Sequence, residues 1–521
     1  MKSSASSSFR VSYVLLGLLL LFFASNVVQS ARILCVFPSP SKSHVLVGQS
    51  LLKGLAARGH EVTMVSAFKL SKPVKNYRDV IIPLDHDTSE QMKRFLNEKP
   101  NLFKELPKMM KSMMETANST INHPKMEEIK REQFDLVIAG VFVADYILGF
   151  GPHFDAPTVV LWSAGLTKIT ADLVGNPRAL SAVPHIMLGT SQTGMGFVDR
   201  LKNFLIGAAE NAFSAFSVYQ QRKYYDYNFP ANRYPAYEDV RKNVSLLLLN
   251  THFSHAGPRP YIQNVVEVGG LQIKTKPGQL PEDIKQWLDG AEHGAIYFCL
   301  GSNVKVSDMP MEKVQIFVKS LAKLKQRILW KSETEFMNVM PNVMTKSWVP
   351  QDDVLAHKNV VLFISHGGLG GMAEARYHGV PVLGIPLFAE QSSNVEAVAR
   401  EGWGQLYDYH QLNEETFDQA LNQMLGNPQF KLKAKEASAV YRDRPKTAME
   451  TACFWIEYII RHKGAPHMHY PGADLNFIEQ NMLDVIAVLL AVVYIVFKVI
   501  KLILKGLIRL CCGKSKKQKT N

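Results

Sequence analysis

Residues 363–391 read FISHGGLGGMAEARYHGVPVLGIPLFAEQ. With the apolar residues just before it, this stretch reads as a strand (Val360 to Ile364), a glycine-rich turn, a helix, a second strand and a polar loop. His366, Gly367 and Gly368 form the turn and let the backbone approach a ligand closely. A helix opening on such a turn offers unsatisfied amides and the positive end of its dipole, which together suit an anion. Glu374 falls on that helix, about two turns past His366. Gly379-Val380-Pro381 ends the helix and starts the next strand, and Glu390-Gln391 follow that strand's end. In parallel α/β sheets this is where ligands sit.

Working outward, the same alternation recurs on both sides. Upstream of the quoted stretch, Leu280 to Leu288 opens a helix and Ala295 to Leu300 forms a strand, and strands and helices alternate to about Leu425. Near the start, Ile33 to Phe37 is a buried-type strand, followed by a Pro/Ser loop and a helix closed by Arg58-Gly59-His60. Val62 to Ser66, Phe134 to Ala139 and Pro157 to Trp162 add parallel-type strands. Gly269-Gly270 to Pro281 marks the break between the halves. The expected fold class is therefore α/β: two Rossmann-like doubly wound domains facing a cleft, over residues 31–270 and 271–440, with returning helices over 441–482. The segment from Phe197 to Phe229 is rich in Phe and Tyr at helical spacing and reads as a core-packing helix pair, the alternative being a segment that lines a ligand cleft or touches the membrane.

The ends carry different information. Met1 to Ser30 has a basic start (Lys2, Arg10), an apolar stretch and the small-residue site Val28-Gln-Ser30, the pattern of a signal peptide. Leu483 to Leu504 is long and apolar enough for a transmembrane helix. From Lys498 to Lys519 come eight basic residues and no acidic one, most of the net charge of +13. The basic balance thus belongs to a cytoplasmic tail over 505–521, by the positive-inside rule, and not to a nucleic-acid surface. Lys519 and Lys517, the third and fifth residues counted back from the end, suit a dilysine retrieval signal for the endoplasmic reticulum. Asn118-Ser-Thr120 and Asn243-Val-Ser245 are glycosylation sequons on what would be the lumenal side. The five cysteines suggest no disulfide framework: Cys35 and Cys299 lie in strand-like runs, and Cys511 and Cys512 are candidate palmitoylation sites.

With Trp348, Pro350 and Gln351 upstream, residues 348–391 resemble the signature of the UDP-glycosyltransferases. The resemblance extends from Ala31 to the tail and implies the two-domain GT-B fold. It implies a UDP-sugar as co-substrate, no metal cofactor, and small lipophilic alcohols or phenols as acceptors. Trp348 would stack on uracil and Gln351 bond its edge or the ribose. His366, Gly367 and Gly368 would take the diphosphate, with Ser302 closing over it from the other side. Glu374 would accept the ribose hydroxyls, and Glu390 and Gln391 would hold the sugar. Glu390 stands where the family more often has Asp, and Gly370 where it often has Asn. Leu280-Pro-Glu-Asp283 and Gly301-Ser-Asn303 resemble the insect members, which favours glucose over glucuronate.

Transfer with inversion requires a base for the acceptor hydroxyl, and His44, placed in the loop after the first strand, matches the family's catalytic histidine. The aspartate that usually orients it would stand at Gly140; Asp145 is the nearest substitute. Without such a partner the base works unassisted, or the acceptors are already acidic. A second class of reading is a non-catalytic carrier of lipophiles or nucleotide sugar, which Gly140 and Gly370 favour and the retained His44, Trp348 and Glu374 oppose. Asp85-His-Asp87 has the form of a metal–nucleotide motif from another glycosyltransferase fold, but none of that fold's context accompanies it.

Overall fold

The computed structural model describes residues 30–85, 89–98, 102–188, 194–302, 304–335, 340–388 and 390–512. The signal-peptide reading, residues 86 and 87 of the Asp85-His-Asp87 triplet, and Lys517 and Lys519 lie outside the described residues, Ser30 and Asp85 apart. The chain divides into two compact units, one ending at His469 and one starting at Tyr470.

The first unit holds two sheets. β1 (Arg32–Val36), β2 (Glu61–Ser66), β3 (Tyr77–Ile81), β4 (Leu136–Ala139), β5 (Thr158–Trp162), β6 (Val244–Leu249) and β7 (Val265–Glu267) are ordered β3-β2-β1-β4-β5-β6-β7. β8 (Ala295–Cys299), β9 (Arg327–Lys331), β10 (Val343–Lys346), β11 (Val360–Ser365), β12 (Val382–Gly384) and β13 (Gly404–Leu406) are ordered β10-β9-β8-β11-β12-β13. Every neighbouring pair is parallel. This is the doubly wound α/β architecture anticipated from the alternation. β4 (LVIA) and β5 (TVVLW) are buried along their whole length, which is why they read as continuous apolar runs. The winding reverses between β1 and β4 in one sheet and between β8 and β11 in the other, so each sheet has a crevice there.

Two helices depart from simple domain division. The Ala448–Arg461 helix returns to the first sheet, where Ile456 and Ile459 join one apolar cluster with Leu51, Leu55 and Leu248. The Ser89–Asn97 helix, from the first half of the chain, buries Leu96 in the second sheet's core, and Phe95 packs on Phe388 at 5.7 Å.

The Phe197–Phe229 stretch is one helix, Phe197–Asn228, and not the anticipated pair. Its C-terminal end does pack in the core, through Tyr225, whereas its other buried positions are small or polar: Asn203, Gly207, Ser214, Ser217 and Gln221. Phe197, Leu201, Phe204, Phe216 and Tyr219 are exposed. The reason is that the helix packs on irregular backbone that needs hydrogen-bond partners. Asn203 bonds the backbone of Leu180, Val183 and His185, and Gln221 Oε1 accepts the Asp145 N–H. Helical spacing identified the element but not which face turns inward.

The second unit contains the Leu483–Cys512 helix, eight residues longer than the anticipated span. Within it, Leu483–Cys511 contains an 18-residue window of mean hydropathy 2.7 with no buried residue, and the segment is long enough to cross a bilayer.

Phe37, directly after β1, is fully buried and lies against two glycines. A Cβ on Gly140 would stand 2.2 Å from its ring, and one on Gly48 2.9 Å. No side chain fits at Gly140 unless the ring moves. Gly140→Ala is therefore expected to lower unfolding free energy by about 1–3 kcal/mol in denaturant titrations. Phe37→Leu in the same chain should recover part of the loss.

Candidate active site

Both crevices carry the residues that the sequence singled out. At the first, the chain leaving β1 turns at Ser41 into the Lys42–Ala57 helix. His44 therefore lies on that helix's first turn, not in the preceding loop as anticipated. Its Nδ1 is hydrogen-bonded to Ser163 Oγ, and its ring packs on Phe142 at 4.4 Å between centroids. Ser163 directly follows β5 and is buried. Burial lowers the His44 pKa to about 4, so the imidazole is neutral at physiological pH.

Asp145 does not orient His44. It is fully buried at the start of the Asp145–Gly149 turn, and its carboxylate accepts the Tyr237 hydroxyl at Oδ1 and Arg241 Nε, 2.9 Å away, at Oδ2. An unpaired buried carboxylate is costly, and these two donors answer that need. Proximity in sequence to Gly140 could not reveal partners nearly a hundred positions away.

The second crevice gathers the larger set. His366 follows β11, and Gly367 and Gly368 lead into the Leu369–His378 helix, with Gly368 as N-cap. Gly367 has φ +83°, and a Cβ there would come within 2.9 Å of the Gln391 carbonyl oxygen. The close approach of this turn to the Gln391–Arg400 helix thus depends on glycine. Asn394 Nδ2 donates to the Gly367 carbonyl, 3.0 Å, joining the same two segments. Across from them Gly301, at φ +96°, lies so close to His366 that a Cβ would be 2.9 Å from Nε2. Ser302 is exposed beside it. Burial foremost, with Lys331 adding, lowers the His366 pKa to about 4, leaving a neutral N–H donor.

Trp348 is exposed, and Gln351 begins the Gln351–Leu355 helix. Gln351 Nε2 donates to Glu374 Oε2 at 2.6 Å, while its Oε1 accepts the Tyr297 hydroxyl at 3.2 Å. Glu374 is buried, and burial, with help from Asp352 and Asp353, pushes its pKa up to about 7. Gln391 Oε1 accepts the N–H groups of Leu387 and Phe388, at 2.9 and 3.1 Å, which folds the sugar-type loop back on itself. Glu390 sits at the N-cap position of the same helix, with its carboxyl raised by burial.

Two residues escaped the sequence reading. Lys331 ends β9 and donates to the Gly301 carbonyl at 2.7 Å, bringing a cation to the turn that faces His366. Its position at the C-terminal end of a strand beside β8 was the available signal. Gln272, in the linker, donates to the Gly370 carbonyl at 3.3 Å. It occupies the side of the helix start left open by Gly370, and no motif marks it.

The sequons and the cysteines are the remaining candidates, and of these Cys299 ends β8 at the second crevice, where its Sγ accepts the Gly301 N–H. Asn118 is on the Leu102–Ile121 helix and its Oδ1 accepts from Asn122 and Asn228, whereas Asn243 is exposed at the end of the Tyr237–Lys242 helix. Cys35, Cys299 and Cys453 are buried free thiols and Cys511 is exposed.

The model of a family described as "UDP-glucoronosyl and UDP-glucosyl transferase" matches residues 32–518. The chain is 33% identical to UDP-glucosyltransferase 2 of Dactylopius coccus, covering 98% of this chain and 99% of that protein. It is 31% identical to 2-hydroxyacylsphingosine 1-beta-galactosyltransferase of Rattus norvegicus, over 95% and 92%. A solved UDP-glucosyltransferase from Polygonum tinctorium superposes with a TM-score of 0.53 at 15% identity, covering 83% of this chain and 99% of that one, which is a likeness of fold.

The raised Glu374 pKa has a signed consequence. The unfolded carboxyl titrates near 4.5 and the folded one near 7, so ionisation works against folding. Stability is lost as pH rises between these values, in total about 3 kcal/mol at roughly 1.4 kcal/mol per pH unit. Glu374→Gln is expected to raise stability above pH 7 by up to about that amount. Below pH 4.5 the gain should vanish, as denaturant unfolding across pH 4–8 would measure.

Proposed function

The chain belongs to the UDP-glucuronosyl and UDP-glucosyl transferase family, and from that premise we propose that it moves glucose, with inversion, onto a hydroxyl of a small lipophilic acceptor. It is a UDP-glycosyltransferase; the sugar, the acceptor and the stereochemistry are the reading offered here. The observation that carries it is the neutral, hydrogen-bonded His44 at the first sheet's crevice, in a chain whose second crevice gathers Trp348, Gln351, His366 and Glu374.

In this reading Trp348 stacks on uracil, and Gln351 with Glu374 holds the ribose. The Gly367-Gly368 amides, His366, Ser302 and Lys331 meet the diphosphate, doing by hydrogen bonds and one cation what a metal does in other transferases. Glu390 and Gln391 hold the hexose. A carboxylate in that loop suits the hydroxyls of glucose better than the second carboxylate of glucuronate. The relatedness to a protein named a UDP-glucosyltransferase supports the same choice. His44 Nε2 takes the acceptor's proton as its oxygen attacks the anomeric carbon from the face opposite UDP. The apolar helix suits a type I anchor in the endoplasmic reticulum membrane, with the catalytic domains lumenal and Asn243 the better placed sequon.

Microsomes containing the full chain should convert UDP-glucose and a panel of phenols and alcohols into β-linked glucosides, with UDP-glucuronate used more slowly and EDTA without effect. His44→Ala should cost about 10²–10⁴-fold in kcat. Tight UDP binding with no turnover across the panel would favour a carrier instead. Residues 505–521 fused to a plasma-membrane reporter should hold it in the reticulum, and surface delivery would refute that address.

A further inference from the structure

His44 needs something to hold its ring and fix its tautomer, and the usual carboxylate is missing. Gly140 cannot supply it, because the Phe37 ring occupies the space of any Cβ. Asp145 cannot, because Tyr237 and Arg241 hold its two oxygens. The group on Nδ1 is the Ser163 hydroxyl.

We infer that Ser163 is the positioning residue of His44, so that the base of this enzyme is a His–Ser pair standing in place of a His–carboxylate pair. The inference rests on the reading of His44 as general base. Three strand ends bring the pair together. β1 leads into the helix bearing His44, β4 lies beside β1 with Ala139 level with Val36, and β5 lies beside β4 with Val160 level with Ala139. Ser163 thus emerges two strands from β1 on the same edge of the sheet. The turn after it is pinned by Trp162 Nε1, which donates to the Gly165 carbonyl at 2.8 Å. Phe142 covers the imidazole and packs on Trp162 at 6.2 Å, so the ring has an apolar wall and one polar anchor.

With Nδ1–H donated to Ser163 Oγ, the lone pair is on Nε2, where an acceptor proton can be taken. The acceptor oxygen bonds the anomeric carbon, the bond from that carbon to the phosphate oxygen breaks with its electron pair leaving on UDP, and the proton ends on Nε2. A hydroxyl dipole compensates the resulting imidazolium less than a carboxylate would. The pair therefore serves best an acceptor whose hydroxyl is already acidic. Among the described residues, Phe142 packs on the ring and Ser163 bonds it, and burial accounts for its lowered pKa.

The test compares full-length wild type, Ser163→Ala, Ser163→Thr, Ser163→Asp and His44→Ala in microsomes, on phenols of graded acidity. Ser163→Ala should lower kcat about 10–100-fold, as loss of an orienting partner does elsewhere, with KM for UDP-glucose unchanged within about twofold. The loss should be larger for less acidic phenols. Ser163→Thr should restore most of the rate. Ser163→Asp should move the acid limb of the kcat/KM profile up by about 1–3 pH units, since an adjacent carboxylate favours the imidazolium. If His44→Ala is inactive while Ser163→Ala keeps the wild-type kcat and pH profile, Ser163 positions nothing and the inference is wrong. If His44→Ala stays active, the underlying reading of His44 has failed instead. Should Ser163→Ala not fold, the rescue by threonine and the shift with aspartate decide alone: both present supports the pair, and an unmoved limb overturns it.

Discussion

Both sheets are wholly parallel, and the rest of the molecule depends on that constraint. A parallel strand cannot be followed by a tight hairpin; the chain must cross over, usually through a helix, before the next strand begins. All strand C-termini of a sheet consequently lie on one edge, and the loops leaving them are neighbours however far apart they are in sequence. At each reversal of winding two such loops diverge and leave a crevice. His44 and Ser163 meet at one crevice, though more than a hundred positions separate them, and Gly301 meets His366 at the other.

The crevices share an electrostatic character. His44, His366 and Glu374 are each driven toward the neutral form by burial. Neutral histidines keep a lone pair to accept a proton beside an N–H to donate, and the lone pair would be lost in the imidazolium. The desolvation that costs Glu374 its easy ionisation also strengthens the hydrogen bond that it accepts from Gln351. Destabilised groups at functional positions are the expected signature of a site shaped for binding and not for stability.

Much of the fold was legible because each buried strand is a continuous apolar run and each turn carries glycine or proline at a definite place. The donor-type residues were legible too, since they cluster within residues 348–391, where spacing along one strand–turn–helix unit translates directly into proximity. The failures share a cause. Asp145 is near Gly140 in sequence, yet its partners come from residues 237 and 241. The Phe197–Asn228 helix reads as core-packing throughout, yet only its end at Tyr225 enters the core and the rest faces irregular backbone that needs polar partners. Lys331 and Gln272 have no motif, because a single long side chain arriving from another element leaves no local pattern.

The sequence by itself determined the alternation of strand and helix, the glycine turn at residues 366–368, and a Leu483–Leu504 segment apolar enough to span a membrane. These are local properties, dictated by hydropathy period and backbone freedom. Only the tertiary structure decided that Phe37 excludes a side chain at Gly140, that Tyr237 and Arg241 claim Asp145, and that Ser163 holds His44. Such outcomes depend on which distant groups compete for the same space or the same proton, and that competition begins once the strands are side by side.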